Sequence, residues 1–134
     1  MSLDPGQDYL EGLRAALTRE GVTDGIMLST VATFARCRLH QVQSLTDVTD
    51  QRVLTLEGPV EVAGVSGVIA AGEPHLHASV ADRDGRAYGG HLEPDCPVLY
   101  LAEASVLAVA SPGMRRSHGE NGATRLLPGA EREL

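Results

Sequence analysis

His75-Leu76-His77-Ala78-Ser79-Val80-Ala81-Asp82-Arg83-Asp84-Gly85-Arg86-Ala87-Tyr88-Gly89-Gly90-His91-Leu92 reads as a β-hairpin, and its register decides both the fold and the site. Two turns fit Arg83-Asp84-Gly85. A two-residue turn on Asp84-Gly85 pairs Arg83 with Arg86, and a three-residue loop ending in a left-handed Gly85 pairs Asp82 with Arg86. A slip of one residue sends every side chain to the other face. In the three-residue case His77 faces His91, with His75 two residues along on the same side. The opposite face then carries Leu76, Ala78, Val80, Tyr88 and Leu92, a coherent apolar set. In the two-residue case His91 joins Leu76 and Ala78, away from the other histidines. The apolar pattern favours the three-residue loop.

In that register His75, His77 and His91 share one face. Directly opposed side chains have β-carbons ~4.5–5.5 Å apart, and neighbours along a strand lie ~7 Å apart, within reach of converging imidazoles. Three neutral imidazoles with an open fourth position suit zinc and similar divalent ions. A His-x-His pair alone marks a solvated strand face more often than a metal site; the third histidine on the same face turns the reading toward metal. Glu93, opposite His75 in this register, is a further candidate ligand or acceptor. Ser79, Ala81, Ala87 and Gly89 give the histidine face small walls, as in a pocket floor. Gly89-Gly90 lets a backbone, ligand or neighbouring chain approach closely. His40 and His118 read as surface residues with no role.

Working outward, residues 8–19 carry Tyr9, Leu10, Leu13, Ala16 and Leu17 at helical spacing, with Asp4-Pro5 or Asp8 to open the helix and Gly21 to close it. Strands are expected over 25–29 and 37–42; the stretch 30–36 between them fits strand or turn. Two more are expected over 53–56 and 59–71, joined around Glu57-Gly58-Pro59. The run 98–110 holds Glu103 as its one charge and reads as a central strand buried on both faces. The tail, 111–134, reads as one hairpin turning at Glu120-Asn121-Gly122 and then a frayed end. The expected division is a core over 1–112 and a hairpin and tail of the same domain over 113–134.

The 134 residues suffice for one domain with a real core. A net charge of −7 repels polyanions, and an aromatic content of 3% with no Trp gives no base-stacking platform, so direct nucleic-acid binding is disfavoured. No apolar run approaches the ~18–20 residues of a membrane helix. The opening Met1-Ser2-Leu3-Asp4-Pro5 has neither the basic start nor the apolar stretch of a secretory signal, so a cytoplasmic setting is expected. Cys37 and Cys96 fit small core thiols, with a bond between them left open. No nucleophile elbow, P-loop or dinucleotide fingerprint is present.

The middle of the chain resembles the plants and prokaryotes conserved (PPC) domain, in its stand-alone bacterial and archaeal form. The likeness is carried by Gly58-Pro59-Val60-Glu61-Val62, Val65-Ser66-Gly67-Val68-Ile69, His75-Leu76-His77, Ala81-Asp82-Arg83-Asp84-Gly85 and Gly89-Gly90-His91-Leu92. It implies an α+β fold with a strongly curved, mainly antiparallel sheet and one flanking N-terminal helix, similar to that of acetolactate decarboxylase. It also implies a homotrimer, with a divalent metal, often zinc, on His75, His77 and His91, and a small-ligand pocket near a subunit boundary. Plant members carry an AT-hook; this chain has none. Relatives often bear a DNA-binding label, and a metal-dependent lyase or hydrolase acting on a small carbonyl compound is a further alternative. Only Met1–Asp4 precede the Pro5-Gly6-Gln7-Asp8 region, so the first sheet edge is expected to be short or absent.

Overall fold

A computed structural model describes residues 1–46, 50–110 and 113–129. In chain order the elements are β1 (Ser2–Leu3), α1 (Tyr9–Arg19), β2 (Gly25–Val42), β3 (Gln51–Ala70), β4 (Glu73–Ala81), β5 (Ala87–Leu92), β6 (Val98–Ala108), β7 (Met114–His118) and β8 (Thr124–Pro128). The first six strands form one antiparallel sheet in the order β1-β6-β2-β3-β4-β5, and β5 pairs again with the far half of β2. The sheet therefore curls until β2, β3, β4 and β5 close on themselves. The expected α+β fold, with a curved antiparallel sheet and one helix, is what the chain forms.

Asp8 opens α1. Its Oδ1 accepts from the Glu11 amide at 3.0 Å, and its Oδ2 accepts from the Asp95 and Cys96 amides at 2.8 Å each. One carboxylate thus caps the helix and ties it to the turn before β6. Gly21, at φ +65°, releases the chain. The helical stripe Tyr9, Leu10, Leu13, Ala16 and Leu17 is buried throughout. It packs with Phe34, Leu39, Val60, Ile69, Leu76, Val80, Leu92 and Val98, all 2% exposed or less, into one core. Tyr9 keeps its hydroxyl satisfied inside that core through Thr30 Oγ1 at 2.7 Å. Cys37 and Cys96 are both free and buried.

One open strand reading is decided and two strand expectations need correction. The stretch 30–36 is strand, so 25–42 is a single element. The expected break at Glu57-Gly58-Pro59 is a bulge inside one strand: Phe34 faces Val60 while Arg36 faces Glu57, so β3 holds one extra residue. Gly58 takes it up at φ +94°, and Pro59 beside it has no amide to lose. Lastly, β6 is not buried on both faces. Its outer neighbour β1 is two residues long, and Tyr100, Leu101 and Leu107 are 71%, 45% and 52% exposed. Its uniform apolar run hides a one-sided burial pattern.

The first edge strand is short, as expected, pairing Ser2 with Glu103 and Leu3 with Ala102. The tail hairpin turns where expected, with Gly122 at φ +79°. It is moored by the Met114 amide, which donates to Asp24 Oδ1 at 2.7 Å. The boundary between 112 and 113 and the expected frayed end at 130–134 fall on or beside residues outside those described. No helix among the described residues is long and apolar enough to cross a membrane.

Candidate metal centre

The three-residue loop forms. The Asp82 amide donates to the Arg86 carbonyl at 3.0 Å, and Gly85 takes φ +78°. Asp82 Oδ1 accepts from the Asp84 and Arg86 amides at 2.9 Å each, and Oδ2 accepts from the Tyr88 hydroxyl at 3.0 Å. These bonds, the Arg86 amide first, hold the Asp82 carboxyl below the usual carboxylate range. The aspartate side chain locks the turn and with it the register: His77 faces His91, Ser79 faces Gly89, and Ala81 faces Ala87. Leu76, Ala78, Val80 and Leu92 are buried on the other face.

The three histidines come together. Ring centroids are 5.7 Å apart for His75 and His77, 4.6 Å for His75 and His91, and 5.5 Å for His77 and His91. One nitrogen from each lies within 4.8 Å of the others, so the group could hold a metal ion. Burial, helped by the neighbouring imidazoles, lowers the His91 pKa to about 4. Burial also lowers that of His75, followed by the charge of Arg116. Both rings are therefore neutral at pH 7, with lone pairs to offer. His91 Nδ1 is buried and has no hydrogen-bond partner among the described residues, an orphaned ring nitrogen of the kind an ion would satisfy. An all-imidazole set suits zinc and other borderline ions, not the oxygen-seeking calcium or magnesium.

The sequence reading missed His40. It pairs with His91 across β2 and β5, and the two rings stack at 4.4 Å. Its Nδ1 meets Glu93 Oε1 in a short contact. His40, His91 and Glu93 form a second group able to hold a metal, sharing His91 with the first. Glu93 does reach the cluster, through His40. Nothing local marks His40: it becomes part of the site only because the sheet curls and brings β2 against β5. His118 is exposed on β7, as expected.

Gly90 makes that approach possible. A β-carbon there would lie 2.6 Å from the His40 carbonyl oxygen. Beside His77 a pocket of about 370 Å³ is lined by Gly64, Ser66, His77, Ser79, Gly89 and Gly90 among others. Its size suits a small molecule, and its walls are small, as the hairpin pattern implied.

The family known as the Plants and Prokaryotes Conserved (PCC) domain matches residues 1–109. This chain belongs to that family. It is 32% identical over 127 residues to the bifunctional protein GlmU of a Synechococcus strain, covering 95% of this chain and 19% of that one. It thus spans about a fifth of the length of the curated relatives it matches. Among solved structures, a hypothetical protein from Salmonella superposes with a TM-score of 0.83 at 21% identity, covering 98% and 92% of the two chains. A candidate DNA-binding protein from Bacteroides thetaiotaomicron gives 0.79 at 20%, covering 93% and 87%. A metal-containing protein from Archaeoglobus fulgidus gives 0.75 at 21%, covering 91% and 86%. At these identities the structures establish the shared PPC fold.

Proposed function

We propose that this PPC-domain protein is a cytoplasmic homotrimer that holds one divalent ion, zinc, on His75, His77 and His91 and takes a small ligand in the adjoining pocket. The observation that carries the reading is the convergence of three histidines on one face, with His91 Nδ1 buried and, among the described residues, unsatisfied. The metal-containing Archaeoglobus relative supports it. Bound zinc supplies Lewis acidity, polarising a carbonyl or lowering the pKa of water. The chain's own contribution is positional. Asp82 locks the hairpin register, Leu76 and Leu92 anchor the histidine strands from the core side, and Glu93 orients His40 against His91. Ser66 and Ser79 line the pocket and offer hydroxyls to a ligand. The test is metal analysis of protein purified without a histidine tag. Wild type is expected to carry close to one ion per chain and His77→Ala a small fraction of that; equally low metal in both overturns the reading.

Trimer formation is supported by the exposed apolar side chains of the paired strands β2 and β6, Leu28, Val31, Tyr100, Leu101 and Leu107. An apolar surface of this kind is usually covered by a partner. Sedimentation equilibrium is expected to give the mass of three chains for wild type and of one chain for Leu28→Asp. The DNA-associated alternative draws on the description of the Bacteroides relative. A net charge of −7 opposes the phosphate contacts it requires.

A further inference from the structure

We propose that Arg116 is an anion-binding arm of the histidine cluster, so that the small molecule taken beside the histidines is an acid bearing an oxyanion, a carboxylate or a phosphate. The inference rests on the metal-and-ligand reading above and names its ligand class.

Arg116 stands on β7, paired with Leu126 of β8. Its Nη2 donates to the Val68 carbonyl at 3.4 Å. Val68 pairs directly with His75, and directly opposed residues share a face of the sheet. The tail hairpin therefore lays a guanidinium beside the strand segment that carries the first histidine. Ser66, two residues back along β3, pairs with His77 and lines the pocket. Arg116 thus stands at the His75 end of the histidine cluster, and Ser66 at its His77 end.

Arg116 Nε is buried and has no hydrogen-bond partner. Arg14, Arg19, Arg36 and Arg86 each meet a carboxylate; Arg116 meets none among the described residues. That is notable in a chain with 18 acidic and 11 basic side chains. An exposed arginine without a partner is simply hydrated. A buried N–H on a permanent cation has lost its water and is left without an acceptor. The one bond Arg116 makes is long and runs to a neutral carbonyl. Its planar fork remains available to an acceptor with two oxygens, the geometry a carboxylate or phosphate presents. Because the whole chain is strongly negative, it draws an anion to this point only through a local positive site of this kind.

The test titrates inorganic phosphate and, separately, acetate into the full chain. Two signals are followed: the visible absorption of cobalt(II) loaded into the protein, and the melting temperature of metal-free protein. Saturable changes are expected in both. Arg116→Gln should raise the half-saturating concentration about tenfold or more. Arg116→Lys should raise it less, since the charge remains without the fork, and Arg115→Gln should leave it unchanged. Metal content should be the same in all four proteins, which separates this role from ligation. Tighter phosphate identifies a phosphate ligand, and tighter acetate a carboxylate. The same half-saturation in Arg116→Gln as in wild type overturns the proposal, as does the absence of a saturable response to either anion. If Arg116→Gln does not fold, an unchanged half-saturation in Arg116→Lys overturns it. If wild type retains no cobalt, the metal reading fails by itself, and the melting series on metal-free protein still decides Arg116.

Discussion

Protein carrying His91→Ala should lose its divalent ion almost completely, with affinity falling by more than ~100-fold, beyond the range typical of outer-shell changes. His91 is the residue common to both candidate groups, His75-His77-His91 and His40-His91-Glu93. Its removal leaves neither group with three donors. It also removes the ring that His40 stacks upon. Glu93→Gln should act more mildly. It weakens the hold on His40 Nδ1 and leaves three imidazoles in place, so a loss of about 10–100-fold is expected, as for other outer partners of metal-site histidines. His118→Ala, exposed and in neither candidate group, should match wild type. Competition against a chromophoric chelator measures all three. If His118→Ala loses as much metal as His91→Ala, the ion is not bound in this cluster.

Gly90→Ala should destabilise the fold by ~1–3 kcal/mol, the usual cost of forcing a methyl into a packed position, lowering the melting temperature by roughly 4–12 °C. The added β-carbon would stand 2.6 Å from the His40 carbonyl oxygen, and 3.3 Å from both Leu39 Cβ and Gln41 Cγ. Backbone must give way. The pairing that must open is short: Leu39 with Leu92 and His40 with His91, flanked by the Gln41 amide side chain donating to the Gly89 carbonyl at 2.8 Å. Opening it moves His40 away from His91 and Glu93, so metal affinity should fall along with stability. Gly89→Ala provides the contrast. Its nearest neighbour would be the Ala78 carbonyl oxygen at 3.5 Å, an ordinary contact. It should keep wild-type stability or gain ~0.4–1 kcal/mol through a less flexible unfolded chain. Thermal melts of the two variants side by side are the measurement. Equal stability would mean that β2 does not lie against β5 at this point.

The hairpin was legible because its information is local. Asp82 and Gly85 specify the loop, and alternation of Leu76, Ala78 and Val80 with His75, His77 and Ser79 specifies the faces. Helix α1 was legible for the same reason: the Asp8 cap, the apolar stripe and Gly21 lie within a few turns of one another. The misreadings at 57–59 and over 98–110, and the open choice at 30–36, have a common origin. A bulge preserves a strand that Gly58-Pro59 seems to end, and whether an apolar run is covered on one face or two depends on elements distant in sequence.

By itself, the sequence determined that His75, His77 and His91 share a face, because strand alternation and turn chemistry act over a few residues. Tertiary structure alone decided the rest of the site. Curling of the sheet brings β5 onto β2 and adds His40 and Glu93 to the cluster. Docking of the tail hairpin on β3 sets Arg116 beside His75. Both contacts join residues about fifty positions apart, and they depend on sheet curvature and core packing, which no short stretch of sequence encodes.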